Sequence, residues 1–409
     1  MNKTKILLLC DHPMSPTGVG TQARWLIDGL VRTGKYSFRC FGGAVKHDKY
    51  DVLRPNDDLV IRPVDGFGDP NLLRQTLMSE RPDVLLLFTD PRFFIWVWEM
   101  ADEIHTVCPI AYNHLWDCDP YPSFNEPFYR DTDLINCINK PTYDMLHGRF
   151  PTKVNFIPHA VPSELYFPEP DYKRRTVRHQ LLNVTSDEHF VALWVGRNAR
   201  RKRPNDMLVA WSMFVKQLPS SASATLIMHT NPRDGEGPNL LATAQMLGIE
   251  RTVKFSPEVV GFDHMRSLYA AADVVVNTSM NEGFGVPTLE AMYCGKPIIV
   301  PTTGGLTHQT YDHATGLATG IALEPDVRTL TGGQMVPFIY EDFVKSERFA
   351  SALAEVAAWG HGKRTQVGMN ARAYALREFS MERLIGTWDT SLRNLVQTWQ
   401  PQHSSMVIG

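Results

Sequence analysis

The sequence predicts an α/β protein of two doubly wound, Rossmann-like domains that face each other across a cleft. Short apolar runs alternate with longer amphipathic stretches along the chain, which is the pattern of parallel sheets flanked by helices. This alternation occurs in two series, and a proline-rich segment separates them. At 409 residues the chain is also too long for one ordinary hydrophobic core, so two domains are expected.

The first series predicts an N-terminal domain over residues 1–165. Its apolar runs indicate buried strands at Ile6–Cys10, Phe38–Phe41, Val84–Phe88, Ile110–Tyr112 and Leu134–Cys137. Helices are predicted between them, among others at Thr21–Arg32 and Asn71–Ser79. The first run superficially resembles a signal peptide, but its apolar core is short and ends at Asp11, so we interpret it as a strand.

The second series predicts a domain over residues 166–380. Its strands are expected at Phe190–Val195, Ala224–Met228, Thr252–Phe255, Val274–Asn277 and Ile298–Val300. The prolines between Pro158 and Pro170 forbid continuous regular structure and mark a linker, with the boundary near residue 165. A surface loop is predicted over Thr319–Gln334, helices from Glu341 onward, and a last helix over about residues 381–400.

Composition and charge exclude several classes of protein. The net charge is −3, so no global positive field recruits nucleic acid or an anionic membrane. The six cysteines have no C-x-x-C spacing, which argues against a zinc knuckle or a disulfide framework and favours a reducing, cytoplasmic compartment. No apolar run approaches the roughly 20 residues that span a bilayer.

Two glutamates, Glu282 and Glu290, lie on either side of the predicted junction between a strand and a helix. Such a junction presents unpaired backbone N–H groups and the positive end of a helix dipole, which suit an anionic or polyhydroxylated ligand. Gly283 and Gly285 would let the backbone approach that ligand closely. The alternative from spacing alone is that Glu282 caps the helix and Glu290 is a solvated helix residue.

The run from Asp273 to Gly295 resembles the E-x7-E signature of retaining glycosyltransferases of the GT-B fold, in glycosyltransferase family four. The resemblance implies a nucleotide sugar, with UDP-sugars favoured, held by the second domain and an acceptor held by the first. It assigns the ribose to Glu290 and the donor sugar to Glu282. It also implies that the last helix packs back on the first domain. The implied donor site further includes Gly283, Phe284, Gly285, Val286 and Leu289.

A basic loop follows the predicted strand Phe190–Val195, with five cations among residues 197–203. Clustered cations can neutralise a departing diphosphate, although a solvated basic turn is the simpler explanation. The resemblance assigns the diphosphate to Arg197 and Lys202. The remaining cations are unexplained by donor binding and could hold an anionic acceptor such as DNA: they are Arg200, Arg201 and Arg203.

In the first domain, Gly18 and Gly20 match G-x-G-x-x-A, so a dinucleotide fingerprint must be considered. No acidic residue stands about 20 positions later, which counts against NAD. The resemblance instead implies that these glycines approach the donor phosphate and the acceptor.

Histidines in three motifs are further candidates. The resemblance implies that His114 contacts the donor sugar, although Asn113 could take the same position. His159 and His308 replace the asparagine and the glutamate of two other family motifs, so their roles stay open.

Metal dependence is not expected. Asp117 and Asp119 form a D-x-D pattern, but such short patterns recur by chance, and the basic loop already supplies positive charge. We therefore expect no cofactor beyond the nucleotide sugar.

Three functions remain open from the sequence: this metal-independent hexosyl- or pentosyltransferase, an NAD-dependent oxidoreductase, and a non-catalytic protein that binds nucleotide sugars. The sequence does not identify the acceptor. A glycan or lipid-linked saccharide, a small molecule, a protein and a modified nucleic-acid base are all compatible with it.

Overall fold

In the computed structural model, residues 3–220 and 223–401 are described, and the chain divides into two compact units. Unit 1 comprises Met1–Ala160, Gly332–Ile339 and Met381–Gly409. Unit 2 comprises Val161–Thr331 and Tyr340–Ser380. The first division lies close to the linker that the prolines mark in the sequence.

Unit 1 contains an eight-stranded sheet in the order β3-β4-β2-β1-β5-β6-β7-β8. Neighbouring strands are parallel except β3 and β4, which are antiparallel. The five predicted strands are confirmed as β1, β2, β5, β6 and β7. The strands are β1 (Thr4–Asp11), β2 (Tyr36–Gly43), β3 (Leu53–Asn56), β4 (Leu59–Pro63), β5 (Val84–Thr89), β6 (Ile110–His114), β7 (Leu134–Cys137) and β8 (Val154–Phe156).

The sheet of unit 1 is covered on both faces, because its strands carry apolar side chains on both sides, as β1 shows. Ile6, Leu8 and Cys10 pack in one apolar cluster, whereas Leu7 and Leu9 pack in another on the opposite face. The helices on these faces are α1 (Gly18–Arg32), α2 (Pro70–Glu80), α3 (Ile95–Trp98), α4 (Ala101–Ile104), α5 (Glu126–Arg130) and α6 (Lys140–His147).

Unit 2 contains a six-stranded parallel sheet in the order β11-β10-β9-β12-β13-β14 and a separate two-stranded sheet of β15 and β16. The five strands predicted for this unit are confirmed. The strands are β9 (Phe190–Val195), β10 (Ala224–His229), β11 (Val253–Phe255), β12 (Val274–Val276), β13 (Ile298–Pro301), β14 (Gly320–Leu323), β15 (Val327–Thr331) and β16 (Ile339–Phe343).

The helices of unit 2 pack on both faces of its sheet, and one apolar cluster joins α8 and α12 to β9 and β10. They are α7 (Asp171–Leu182), α8 (Pro204–Val215), α9 (Leu240–Leu247), α10 (Phe262–Ala271), α11 (Val286–Tyr293), α12 (Ser346–Ala358) and α13 (Gly360–Glu378).

The predicted loop over Thr319–Gln334 and the predicted helix start at Glu341 are wrong. Gly320–Leu323 pairs in register with β13, and Gly320 lies so close to Ile298 that any side chain would collide with the backbone there. The β15 strand is mostly exposed. Its sequence therefore has no apolar alternation of the kind that identifies a half-buried strand, which is why it was not predicted. After β16, the next helix begins at Ser346.

The last helix, α14 (Met381–Thr398), belongs to unit 1 rather than to the neighbouring unit 2. Its Leu384, Trp388 and Leu392 join the same apolar cluster as α1 and β1. Asp389 accepts a hydrogen bond from the buried hydroxyl of Tyr36 at 2.9 Å. In residues 3–220 and 223–401, no helix has both the length and the apolar character needed to cross a bilayer.

Candidate functional site

The sheet of unit 2 reverses its strand order between β9 and β12, and the candidate site lies at this point. From β9 the chain proceeds to β10 and β11 on one side of the sheet, and β12 then starts the other side with β13 and β14. Because β9 and β12 are parallel neighbours, the loops that follow them begin side by side. In open α/β sheets, ligands bind beyond the carboxyl ends of the strands at such a switch point.

Hydrogen bonds join the two loops at the switch point, namely the basic loop (residues 196–203) and the glutamate loop (residues 277–285). The hydroxyl of Thr278 donates to the carbonyl of Lys202 at 2.8 Å, and it accepts from the indole of Trp194 at 3.0 Å. The amide of Met280 donates to the carbonyl of Arg201 at 2.9 Å. The loops therefore form one connected structure whose parts hold each other in place.

Glu282 is nearly buried, at 8% exposure, and forms an ion pair with Lys202. Its Oε2 also accepts from the hydroxyl of Ser279 at 3.2 Å and lies 3.8 Å from Nη1 of Arg201. Burial alone would raise the pKa of Glu282, but the charges of Lys202 and Arg201 outweigh it and hold the pKa below its usual value. Glu282 is thus an ionised carboxylate, and it does not cap α11, whose first flanking residue is Gly285.

Glu290 lies on α11 and points into the interior, so the alternative of a solvated helix residue is wrong. It is 9% exposed, and its Oε2 accepts a hydrogen bond from the hydroxyl of Tyr269 at 2.6 Å. Burial raises the pKa of Glu290 to about 7, and the hydrogen bonds from Tyr269 and Tyr166 offset only part of this effect. Near neutral pH this carboxyl can therefore take or release a proton.

Replacing Glu290 by glutamine is expected to stabilise the protein at alkaline pH. The folded chain keeps a proton that the unfolded chain releases between pH 4.5 and about 7, so stability falls as the pH rises through that window. Glutamine avoids this loss, which amounts to at most about 3 kcal/mol by linkage, and its amide oxygen can still accept from Tyr269.

The measurement is the thermal midpoint of the wild type and of Glu290→Gln at about pH 5 and about pH 8. The variant should gain on the wild type as the pH rises. Parallel pH profiles for the two proteins would show that this carboxyl has an ordinary pKa.

The glutamate loop has a backbone conformation that needs glycine. Gly285 has φ of 91°, in the left-handed region, and a side chain there would collide with Leu306 and Thr288. The amide of Gly305 donates to the carbonyl of Glu282 at 2.7 Å, and a side chain on Gly305 would collide with the backbone of the loop. The loop thus packs directly on the backbone of a neighbouring turn.

The other predicted donor residues of this loop and helix differ in how accessible they are. Gly283 and Phe284 lie in the loop beside Glu282, and Val286 begins α11 with a partly buried side chain. Leu289 is fully buried, so its side chain has no surface to present to a ligand. The side chain lies on the face of α11 that packs inside unit 2, and the part of Leu289 in donor binding stays a prediction.

Arg197 contacts the loop of residues 231–239. Its guanidinium lies 3.0 Å from Asp234 and 3.1 Å from Glu236, and the hydrogen bond that it donates to Asp234 is the largest of the effects that raise the pKa of Arg197. The side chain is 59% exposed. The structure therefore brings Lys202 and Glu282 together but gives Arg197 a separate pair of acidic partners.

The other arginines of the basic loop also have acidic partners. Arg200 lies 2.7 Å from Glu341, although 73% of its side chain is exposed, and Arg203 donates to Asp206 at 2.6 Å. Arg201 is the residue near Glu282 described above. These pairs reduce the positive charge that the loop offers to a second anion. DNA binding through the three arginines stays a prediction.

The two glycines in unit 1 have different surroundings. Gly20 packs against its own loop, since a side chain there would collide with the carbonyl of His12 and the hydroxyl of Ser15. Gly18 begins α1 with open space where a side chain would be. Thr17 caps the helix by accepting from the amide of Gly20 at 3.0 Å. The requirement for glycine at 20 therefore has a local packing cause.

His114 lies in the interior of unit 1. It has no exposed surface, its Nε2 is 2.6 Å from the hydroxyl of Tyr129, and its ring stacks on Tyr112. Burial lowers the pKa of His114 to about 3, so the ring is neutral. Asn113 is 2% exposed, and its Oδ1 accepts from the side chain of Asn136. Both faces of a parallel sheet are covered, so neither side chain reaches the surface of the unliganded protein, and the sugar contact at this position stays a prediction.

The two remaining histidines are also placed. His159 is buried beside Phe88 in unit 1, and burial lowers its pKa to about 3. His308 in unit 2 stacks on His313 at 4.4 Å between ring centroids and lies 3.5 Å from Glu378. Within residues 3–220 and 223–401, no group of three or more metal-ligating side chains is close enough together to hold a metal ion.

Sequence reasoning missed three residues that hold the site: Ser279, Tyr269 and Gln309. Tyr269 occupies a core position of an amphipathic helix, and a buried tyrosine hydroxyl usually needs a partner, which was a usable signal. Gln309 carried no such signal, because its partners lie more than twenty positions away along the chain.

Comparison with known proteins finds relatives of part of this chain. The family model described as "Glycosyl transferases group 1" matches residues 182–326, which lie in unit 2. A D-inositol 3-phosphate glycosyltransferase of Kineococcus radiotolerans is 31% identical over 179 residues, which cover 43% of this chain and 40% of the relative. A protein of the same name from Actinosynnema mirum is 27% identical over 59% of this chain and 62% of its own length. The matched part thus spans less than two thirds of these relatives.

Solved structures match over nearly the whole chain at low identity. Sucrose-phosphate synthase from Thermosynechococcus elongatus has a TM-score of 0.75 at 17% identity, covering 97% of this chain and all of that one. The Anabaena protein HepE, in complex with UDP and glucose, has a TM-score of 0.70 at 19% identity, covering 96% of this chain and all of HepE. The chain therefore has the two-domain α/β fold called GT-B, and its unit 2 contains a region that matches the glycosyl transferases of group 1.

Proposed function

We propose that this protein is a retaining glycosyltransferase that moves a hexose or pentose from a nucleoside-diphosphate sugar, with a UDP-sugar favoured, to an acceptor hydroxyl without a metal ion. The observation that carries the proposal is the ion pair of Glu282 with Lys202 at the switch point of unit 2, directly before the start of α11. It combines a cation for a diphosphate with a carboxylate for a sugar hydroxyl.

The nucleoside is assigned to Glu290. A carboxylate can accept hydrogen bonds from both hydroxyls of a ribose, and Tyr269 fixes its orientation from the inner side. Glu290 is 9% exposed, and ribose binding would require the hydroxyls to reach the carboxyl from the side opposite Tyr269. The pKa of Glu290 is about 7, and hydrogen bonds donated by ribose hydroxyls would favour its ionised form.

The diphosphate is assigned to Lys202, the amides at the start of α11 and Arg197. An anion that reaches Lys202 competes with Glu282 for the same ammonium group. Arg197 would have to leave Asp234 and Glu236 to contribute, and its 59% exposure leaves it free to reorient. Cations and helix N-termini stabilise the charge that develops on a leaving diphosphate.

The donor sugar is assigned to Glu282. Once a diphosphate takes over Lys202, the carboxylate of Glu282 needs a new hydrogen-bond donor, and a sugar hydroxyl supplies one. The acceptor hydroxyl would then attack the anomeric carbon from the face that the diphosphate leaves. A departing phosphate oxygen can take the acceptor proton, so this reaction needs positioning and charge stabilisation more than a side-chain base.

We propose several classes of acceptor and a cytoplasmic location. The acceptor hydroxyl belongs to a glycan or lipid-linked saccharide, to a small molecule such as the inositol phosphate for which the relatives are named, or to a modified base. The six cysteines are free and buried, which accords with a reducing cytoplasm.

A thermal-shift screen tests the proposal. A set of UDP-, GDP- and ADP-sugars, with NAD as a comparison, should include one nucleotide sugar that raises the thermal midpoint, because a ligand that binds only the folded state stabilises it. Glu290→Ala should lose this shift, while Glu355→Ala, an exposed glutamate on α12, should retain it. Release of nucleoside diphosphate with an acceptor mixture separates an enzyme from a binding protein. A shift with NAD and with none of the sugars would contradict the proposal.

A further inference from the structure

Gln309 is a buried amide that packs against the glutamate loop. It ends the 3₁₀ helix Gly304–Gln309 in unit 2 and has no exposed surface. Its Nε2 donates to the carbonyl of Phe284 at 2.7 Å and lies 3.3 Å from the carbonyl of Gly285. Its Oε1 accepts from the hydroxyl of Thr288 at 2.7 Å. The polar atoms of this side chain thus fix the junction between the loop and α11.

The hydrogen bonds of Gln309 determine where the next two amides point. In a trans peptide, the carbonyl and the following N–H point to opposite sides of the chain. The carbonyl of Phe284 points toward Gln309, so the N–H of Gly285 points away from it. The carbonyl of Gly285 likewise faces Gln309 and the hydroxyl of Thr288, at 3.3 and 2.6 Å, so the N–H of Val286 also points away.

These two amides stand at the start of α11, where intrahelical acceptors are lacking and the helix dipole is positive. Gly285, with its φ of 91°, can adopt many backbone conformations, so the chain by itself does not fix this orientation. Earlier in the glutamate loop, the amide of Gly305 donates a hydrogen bond to the carbonyl of Glu282. Gln309 holds the carbonyls of Phe284 and Gly285, which set the direction of the two following amides.

We propose that Gln309 is a positioning residue for the leaving diphosphate, acting through the amides of Gly285 and Val286. By holding two carbonyls on the inner side of the loop, it keeps the two N–H groups on the outer side, directed at the phosphate oxygens. This inference rests on the proposed function, because it requires a nucleoside diphosphate at the glutamate loop.

The test compares a ligand that has the diphosphate with one that lacks it. Calorimetric titration of the wild type with UDP, GDP and ADP identifies the nucleotide that binds, and its nucleoside is then titrated by NMR. In Gln309→Leu, which keeps the volume but removes the amide, affinity for the diphosphate should fall about tenfold, as expected for one or two lost N–H contacts. Affinity for the nucleoside should change less than about twofold, because the ribose contact at Glu290 is untouched.

Turnover gives a second measurement and controls separate positioning from folding. The kcat of Gln309→Leu with the nucleotide sugar should fall about tenfold or more, since an oxyanion-type donor acts mainly in the transition state. Thr252→Val is the matched control, because it removes a buried hydroxyl that accepts from Trp211 at 3.1 Å, far from the glutamate loop in sequence. It should lower stability without changing the ratio of diphosphate to nucleoside affinity.

A second variant covers the case in which Gln309→Leu does not fold. Thr288→Val removes the hydroxyl that orients the amide and should give a smaller loss of the same kind. Equal weakening of diphosphate and nucleoside, or no change in either, would overturn the positioning role while leaving the proposed function in place. A wild type that binds no nucleoside diphosphate would overturn both.

Discussion

Replacing Glu282 by glutamine is expected to lower turnover about 10²- to 10³-fold while raising the affinity of the protein for the free nucleoside diphosphate. In the unliganded protein, Glu282 is ionised and paired with Lys202, so a diphosphate that binds Lys202 as proposed would have to displace it. Glutamine has nearly the same shape but no charge, and it leaves Lys202 available to the phosphates. The same change should weaken the proposed contact with the donor sugar, so the affinities for the nucleotide sugar and for the free nucleotide should change in opposite directions.

The measurement is a pair of titrations, one with UDP and one with a non-reacting UDP-sugar, together with kcat. Glu341→Gln is the matched control, because it removes the acidic partner of Arg200 in the same basic loop and leaves the Glu282 pair intact. A fall in UDP affinity for Glu282→Gln comparable to the fall in turnover would show that this carboxylate does not compete with the diphosphate.

Replacing Lys202 by methionine is expected to destabilise the protein and to abolish most of its turnover. Breaking a buried ion pair from one side leaves the other charge without a partner, which costs about 3 to 5 kcal/mol. The expected value is at the lower end, about 3 kcal/mol, because Arg201 remains 3.8 Å from Glu282. Turnover should fall about 10²-fold or more, because the cation proposed to contact the diphosphate is lost.

The double variant Lys202→Met with Glu282→Gln separates these two effects. Without a buried charge to leave unpaired, it should recover much of the stability, measured by chemical or thermal unfolding beside both single variants. It should recover none of the turnover. Additive destabilisation in the double variant would mean that the two side chains do not interact in solution.

The sequence was sufficient for the parallel sheets because buried parallel strands are short, continuous apolar runs, as Val84–Phe88 and Phe190–Val195 show. It was insufficient for β14 and β15. Gly320–Leu323 becomes a strand through pairing with β13, and Val327–Thr331 has no buried face, so neither has a local pattern to detect.

The site was predictable where a motif joins adjacent residues, and less so where it depends on distant partners. The spacing of Glu282 and Glu290 placed both beside the start of a helix, as observed. The number of cations in the basic loop was readable, but their partners were not: Asp234 and Glu341 lie 37 and 141 positions from the arginines that they contact. His114 ends its strand, at the edge of the sheet where it was predicted, yet its packing beside Tyr129 of α5 decides that it is buried.

The ion pair of Lys202 with Glu282 has a consequence for which anions can bind to the unliganded protein. Inorganic phosphate and sulfate are anions that could compete for the ammonium group of Lys202, whose side chain is 16% exposed. An ion of this kind that took Lys202 would leave the nearly buried Glu282 without its main partner and would bring no hydroxyl to replace it. In the proposed function, a sugar joined to a diphosphate would satisfy both groups at once. On that proposal, the ion pair would discriminate against small anions before any contact with the nucleoside is made.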